Sequence, residues 1–219
     1  MNIQSAFNLT EIVALWPNDG SEPSRGAPQV PTLYTSRLIL RPFSLADAAT
    51  VQRLAGEREI AAMTLTIPHP YPDGAAAAWI DTHASAFANG QGLSLAIVLQ
   101  ATGELCGAIG LVLAPDHHSA EMGYWLGKPY WRQGYCTEAA LALLQYGFQT
   151  LNLHRIHAAH FAQNLASGRV MQKLGMRQEG YLRQAVLKWG QYMDLVLYGI
   201  LWEEWLEVLP ATPGRTGWV

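Results

Sequence analysis

Three stretches of this chain, Leu93–Leu99, Leu105–Leu113 and Glu121–Leu126, read as strands that follow one another across connections of only five and seven residues. Connections that short cannot carry a parallel crossover, which takes about a dozen residues. The three strands therefore form an antiparallel meander, and any fold for this chain is built around it. Thr35–Pro42 alternates Leu38 and Leu40 with Arg37 and Arg41 and predicts a preceding strand. Leu45 to about Ala62 predicts one or two helices introduced by Ser44, and the Ala-rich Ala75–Ala88 predicts another. Between them Pro68-His69-Pro70-Tyr71-Pro72 forbids both helix and internal strand. After the meander come a helix over Thr137–Leu151 with Ala140, Leu144, Gly147, Phe148 and Leu151 on one face, a strand over His154–Phe161, and a helix over Leu165–Leu174 closed by Gly175. Arg177–Leu187 and Gln191–Leu201 then form a hairpin around Trp189-Gly190. The order ββ…βαβαββ belongs to the α/β class with a mixed, α+β-like sheet.

Material for a core is ample, since 50% of the 219 residues are hydrophobic and 14% charged, against roughly a quarter charged in an average globular protein. The length suits one domain with extensions. Residues 1–33 are divided into a helix-compatible piece, Leu9–Trp16, and a Pro/Gly-rich run, which predicts an appended arm able to dock on the domain or on a second subunit. The domain is expected over 34–209, with a tail over 210–219. A net charge of −3 with 14 Lys+Arg and no dense basic block argues against nucleic acid or an anionic membrane as partner. The longest stretch without charged side chains, Ala84 to Gly103, is too polar to span a bilayer, and the first residues lack a signal-peptide pattern, so a cytoplasmic protein is expected. Cys106 and Cys136, without ligand-like neighbours, predict reduced thiols.

Chemistry concentrates in Lys128-Pro129-Tyr130-Trp131-Arg132-Gln133-Gly134-Tyr135-Cys136-Thr137-Glu138-Ala139, where a strand end, a Gly-containing turn and a helix start are stacked together. Unpaired N–H groups at a helix start favour a phosphate or pyrophosphate, and Gly134 lets backbone approach it. Lys128 and Arg132 add positive charge. By itself the turn leaves anion binding and plain structure equally open. Neither a Gly-x-x-x-x-Gly-Lys-Ser/Thr loop nor a Gly-x-Gly-x-x-Gly after a strand is present, which excludes the usual kinase and dehydrogenase readings. His117-His118 with Glu121 spans a turn and reads as solvated histidines more readily than as metal ligands, and no metal is expected.

Taken together, Thr35-Ser36-Arg37-Leu38-Ile39-Leu40-Arg41-Pro42, Ala120-Glu121-Met122-Gly123-Tyr124-Trp125-Leu126, Tyr130 through Ala139, Leu153-His154-Arg155-Ile156, Asn164 and Ser167 before Lys173-Leu174-Gly175-Met176, and Glu179-Gly180-Tyr181-Leu182-Arg183 carry a resemblance. From Thr35 to about Glu207 the chain resembles the GNAT acyl-CoA N-acyltransferase superfamily, in particular its RimJ/RimL-type ribosomal-protein N-acetyltransferase branch. The resemblance implies a mostly antiparallel sheet flanked by helices and splayed between the Glu121–Leu126 and His154–Phe161 strands. Acetyl-CoA would enter the gap as cosubstrate, its pantetheine along the backbone of Tyr124, Trp125 and Leu126 and its pyrophosphate on Arg132, Gln133, Gly134, Tyr135, Cys136 and Thr137. Asn164 matches an asparagine that contacts the pantetheine arm.

Two departures stand out: Cys136 replaces a usual Ala or Gly in the turn, and Val186 stands where some relatives place a catalytic glutamate in the last hairpin. The base is then expected at Glu121, which matches a strand glutamate of the superfamily; the bland alternative is a carboxylate paired with an Arg or Lys. Ser167 matches a serine proposed as general acid, or caps the following helix, or does both. His157 and His160, three apart on one strand, point to opposite faces. His69 and Tyr71 match the region where relatives bind the acceptor, or they staple the domain. The implied activity is direct transfer of acetyl to a primary amine, most readily a protein N-terminal α-amine, which is neutral in about a tenth of molecules near pH 7 whereas a lysine amine is almost wholly protonated. Two alternatives stand beside it, a non-catalytic acyl-CoA sensor and an acetyltransferase of small amines such as polyamines or amino sugars. A polyamine calls for several carboxylates in one pocket, for which Asp73, Asp81, Glu121 and Asp194 are the candidates. A homodimer stays open.

Overall fold

The computed structural model describes residues 29–208; the predicted helix at Leu9–Trp16 and the 210–219 tail lie outside them. An eight-stranded sheet runs in the order β1-β2-β3-β4-β5-β6-β8-β7. The meander is β3 (Gly92–Leu99), β4 (Leu105–Ala114) and β5 (Ser119–Leu126), antiparallel throughout with Leu95 opposite Ile109 and Ile109 opposite Tyr124. Ahead of it, β1 (Leu33–Tyr34) and β2 (Leu38–Pro42) add two antiparallel edge strands. Beyond it, β6 (Arg155–Phe161) pairs along its whole length with β8 (Gln191–Leu201), which pairs with β7 (Arg177–Lys188).

The two groups of strands meet at one place. β5 and β6 run parallel and are joined by three rungs, Ser119 with Arg155, Ala120 with Ile156 and Glu121 with His157. From Met122 onward β5 has no ladder partner on that side, so the sheet forks at Glu121.

Helices cover both faces. Leu95 and Ile97 of β3 enter one core with Leu143, Leu144 and Phe148 of α5 (Tyr135–Gln149), while Ala96 and Val98 enter another with Val51 and Leu54 of α1 (Ala48–Ala55) and Ile80 of α3 (Ala75–Asp81). A strand sandwiched between helical layers has apolar residues at consecutive positions, as β3 does. α5 presses so closely on β6 that a Cβ on Gly147 would meet Ile156 Cδ1 at 2.8 Å. The apolar face predicted for α5 is the buried one, with Ala140, Leu144, Gly147 and Phe148 inside.

Several boundaries differ from the sequence reading for local reasons. Leu45–Ala62 resolves into one 3-10 turn (Leu45–Asp47), α1 and α2 (Arg58–Ala62). Asp47 accepts the Ser44 N–H at 2.8 Å and is held by both terminal nitrogens of Arg41 at 2.8 Å. Ala75–Ala88 is two helices, α3 and α4 (His83–Ala88), divided at Thr82, whose hydroxyl bonds the Trp79 carbonyl at 2.7 Å in place of solvent. Thr35 and Ser36 lie before the strand, their hydroxyls committed elsewhere as described below. Trp189 and Gly190 have φ of 50° and 80°, the two-residue turn a tight hairpin takes. α6 (Leu165–Lys173) and α7 (Trp202–Val208) complete the described chain.

Candidate active site

The fork opens into a cleft of about 1470 Å³ running between β5, α5, α6, the 63–71 loop and the β7–β8 hairpin. Alternation decides which β5 groups face it. Gly127 donates to the Cys106 carbonyl across β4, so Trp125, two residues back, also turns its N–H and C=O toward β4, while those of Tyr124 and Leu126 turn to the open side. This corrects the sequence reading in two respects. The backbone of Trp125 is spent on the ladder, and only its side chain reaches the cleft. The Leu126 carbonyl is also occupied, accepting the Trp131 indole N–H at 2.7 Å. The N–H groups of Tyr124 and Leu126 and the Tyr124 carbonyl are left for a ligand.

At the floor of the fork stands Glu121. It lines the cleft, makes no hydrogen bond or ion pair among the described residues, and burial raises its pKa to about 7. The paired-carboxylate alternative is thus not what the structure shows. Strand alternation sends Glu121 and Trp125 toward the α1–α3 layer and Tyr124 toward α5 and α6.

On the α5 side the turn has the shape of an anion cradle. Arg132 and Gly134 both have positive φ, 61° and 82°, and Gly134 caps a 15-residue helix whose first N–H groups point outward. Arg132, Gly134, Tyr135, Cys136 and Thr137 line the cleft; Gln133 does not, its amide donating to the Pro129 carbonyl at 2.9 Å. Lys128 is drawn away by Glu59 at 2.6 Å, while Arg169 and Lys173 of α6, which sequence reasoning did not single out as cations, line the cleft.

A clamp behind the turn was also missed. Glu138, one turn into α5, accepts from Thr35 Oγ1 at 2.6 Å, Ser36 Oγ at 2.9 Å, the Arg37 N–H at 2.8 Å and Arg37 Nε at 2.7 Å. Arg37 in turn donates to the Gln133 carbonyl at 3.0 Å and lies over the Tyr135 ring at 4.6 Å. The Thr-Ser-Arg run was visible in sequence, but its partner lies a hundred residues away.

Across the fork, Asn164 caps α6, its Oδ1 accepting the Ser167 N–H at 3.2 Å. That replaces the helix-capping alternative considered for Ser167. The Ser167 hydroxyl lies instead 2.9 Å from the Tyr124 hydroxyl, inside the cleft. His157 and His160 lie on opposite faces as expected, His160 buried with its Nδ1 on the Phe161 carbonyl. The thiols are free, and burial raises Cys106 to about 12 and drives Cys136 up as well, which leaves neither as a nucleophile. Among the described residues no group of three or more metal-capable side chains converges, and no helix is long and apolar enough to cross a membrane.

The family model described as an acetyltransferase (GNAT) domain matches residues 37–177. This chain belongs to the GNAT acetyltransferase family. It is 32% identical over 177 residues to the uncharacterized N-acetyltransferase YnaD of Bacillus subtilis, covering 79% of this chain and 98% of that one. It is 33% identical over 104 residues to the ribosomal protein uS5-alanine N-acetyltransferase of Escherichia coli, covering 48% of this chain and 50% of that enzyme. In fold it is similar to RimL, the ribosomal L7/L12 α-N-protein acetyltransferase solved with coenzyme A, with a TM-score of 0.73 at 18% identity over 78% of this chain and 98% of that one.

Within this GNAT domain the proline loop divides its two candidates. Tyr71 lines the cleft. His69 does not: its Nδ1 lies 3.1 Å from the Gly56 carbonyl and its ring lies 6.0 Å from that of Trp189, so it staples the loop to the hairpin tip. Ile67, Leu182, Val186, Leu195 and Leu197 give the cleft an apolar stretch of lining.

Proposed function

We propose that this GNAT domain moves acetyl from acetyl-CoA directly to the α-amine of a protein or peptide N-terminus, in the manner of the RimJ/RimL branch. The observation that carries the acceptor class is the scarcity of carboxylates around an apolar wall. Of the four candidates for a polyamine site, Asp73, Asp81 and Asp194 lie outside the cleft lining, and Glu121 alone remains; Glu59 lines it but is taken by Lys128. A polycation would leave charges unpaired against Leu182, Val186 and Leu197, whereas a single amine needs one base. The likeness to a uS5-alanine acetyltransferase supports the same reading.

The cleft fits acetyl-CoA on its own features: an unpaired β5 edge for the amide arm, the Arg132–Thr137 cradle for the pyrophosphate, and cations on α6. Acetyl-CoA supplies the activated acyl group. Glu121 takes the proton that the incoming ammonium must lose, its raised pKa matching it to that task near neutrality. The N–H groups of Tyr124 and Leu126, free of the ladder, are placed to stabilise negative charge on the acyl oxygen. Ser167 donates to the departing sulfur. The high thiol pKa values of Cys106 and Cys136 favour direct transfer over an acyl-enzyme.

An acceptor panel tests the reading. Peptides with a free N-terminal alanine should be acetylated with a kcat/KM at least about tenfold above spermidine and amino sugars, one hydrogen-bonded charge of discrimination. A reversed order would move the domain to the small-amine class. Binding of acetyl-CoA with no acetylated acceptor in any class would leave the sensor.

A further inference from the structure

Tyr124 stands on β5 three residues past the last rung that joins β5 to β6, and its hydroxyl reaches over the opening to α6. It lies 2.9 Å from Ser167 Oγ and 3.3 Å from the Ser167 carbonyl. No other side chain bonds Ser167 Oγ among the described residues. The two hydroxyls therefore form a bridge from β5 across the fork to α6, the helix that follows β6, at the depth where the thioester must lie for Glu121 and the free β5 amides to act on it.

A phenol has one proton to give, and the shorter contact is to Ser167 Oγ. Donated there, it leaves the serine's own O–H to point into the fork. We propose that Tyr124 is a positioning residue for departure of the thiol: its O–H holds the Ser167 rotamer and bears part of the negative charge that collects on Oγ as the serine proton leaves. The proposal rests on the reading of Ser167 as general acid. In the step it serves, the amine nitrogen bonds the acyl carbon and the C–S bond breaks with its electron pair passing to sulfur. Sulfur takes the Ser167 proton; the nitrogen, which gave one proton to Glu121 before attack, gives its second through water to restore Ser167, and Glu121 releases the first to water. Tyr124 keeps its own proton throughout, because burial sets the phenol far above its ordinary pKa. That separates orienting the acid from being it.

The test is a double-mutant cycle on kcat with a free N-terminal alanine peptide as acceptor, acetyl-CoA affinity being followed by titration for each variant. Tyr124→Phe should lower kcat by about tenfold, the worth of one hydrogen bond made in the transition state, with KM for acetyl-CoA changed by less than about twofold. In the Ser167→Ala background the same substitution should cost nothing further. Equal losses in both backgrounds, or a loss confined to KM, would overturn the proposal and make Tyr124 a packing residue. Wild-type kcat in Ser167→Ala alone would overturn the reading of Ser167 itself, a distinguishable failure. Should the phenylalanine variant not fold, an isosteric fluorotyrosine at position 124, a stronger donor, should raise kcat, and an unchanged rate would count against the proposal.

Discussion

At the scale of single residues, two buried ionisable groups pull stability in opposite directions over the same pH range. Glu121 has its pKa raised to about 7 by burial; the unfolded chain ionises first, so stability falls as pH rises from about 4.5 to 7. His83, wedged against Trp79 and Phe43 with both ring nitrogens buried and unpartnered, has its pKa lowered to about 4. It must gain a proton to match the unfolded chain, so its contribution is complete above about 6.5 and lost as pH falls toward 4. Their slopes oppose each other between pH 4.5 and 6.5. Glu121→Gln should therefore raise stability by about 2 kcal/mol at pH 8, allowing for solvent at the mouth of the cleft, and unmask a rise with pH between 4 and 6.5 in chemical denaturation. The same variant should lose about a hundredfold in kcat/KM and the limb of the pH–rate profile near 7; an unchanged limb would remove Glu121 from the chemistry. His83→Phe should show the converse, stability that no longer drops toward pH 4 on account of this ring. Glu121 was legible in sequence because strand position and resemblance both point at it. His83 was not, since nothing in an Ala-rich helix says that one imidazole will be enclosed by two aromatic rings.

Among elements, the turn ahead of α5 shows what a strand-turn-helix motif conveys and what it conceals. A Gly before a helix suggested an anion site, and Gly134 does hold the left-handed backbone such a cradle needs. What keeps the cradle in shape is Glu138. Burial opposes its ionisation, yet hydrogen bonds from Thr35 and Arg37 prevail and hold its pKa below the ordinary carboxylate value. Glu138→Gln should raise KM for acetyl-CoA by about fivefold and leave kcat within about twofold, because the turn loosens while the reacting groups at the fork stay in place. A loss confined to kcat would show that Glu138 acts elsewhere. Gly134→Ala should be more damaging, costing about 1 kcal/mol of stability through its left-handed φ and weakening the cosubstrate together. Thr35–Arg37 read as strand because alternation of apolar and polar side chains carries no mark of a partner a hundred positions on. Lys128, counted toward the anion, is diverted by Glu57 and Glu59 from a helix whose packing angle no local pattern discloses.

For the whole molecule, the antiparallel meander and the closing hairpin followed from short connections and turn residues, while the fork was implied by the family resemblance alone: periodicity marks where strands lie and is silent on where two of them part. A ligand spanning the fork would tie its arms together. At about a hundredfold excess over Kd acetyl-CoA should add roughly 2.7 kcal/mol, a rise in Tm of about 5–10 °C for a chain of this size, and slow hydrogen exchange at the Tyr124 and Leu126 amides more than at Trp125. No shift with acetyl-CoA, CoA or longer acyl-CoAs would overturn the cosubstrate assignment. The fork also divides the sheet along the chain, since β1–β5 end by Leu126 and β6–β8 begin at Arg155. Each group owns all its antiparallel pairings, and they are joined by three parallel rungs, by α5 and by side-chain contacts such as Lys188 Nζ on the Leu65 and Ile67 carbonyls. A chain cut in the turn at Asn152 thus yields two fragments with intact ladders, whose reassembly the cosubstrate would promote: the raw material of a split reporter for acyl-CoA.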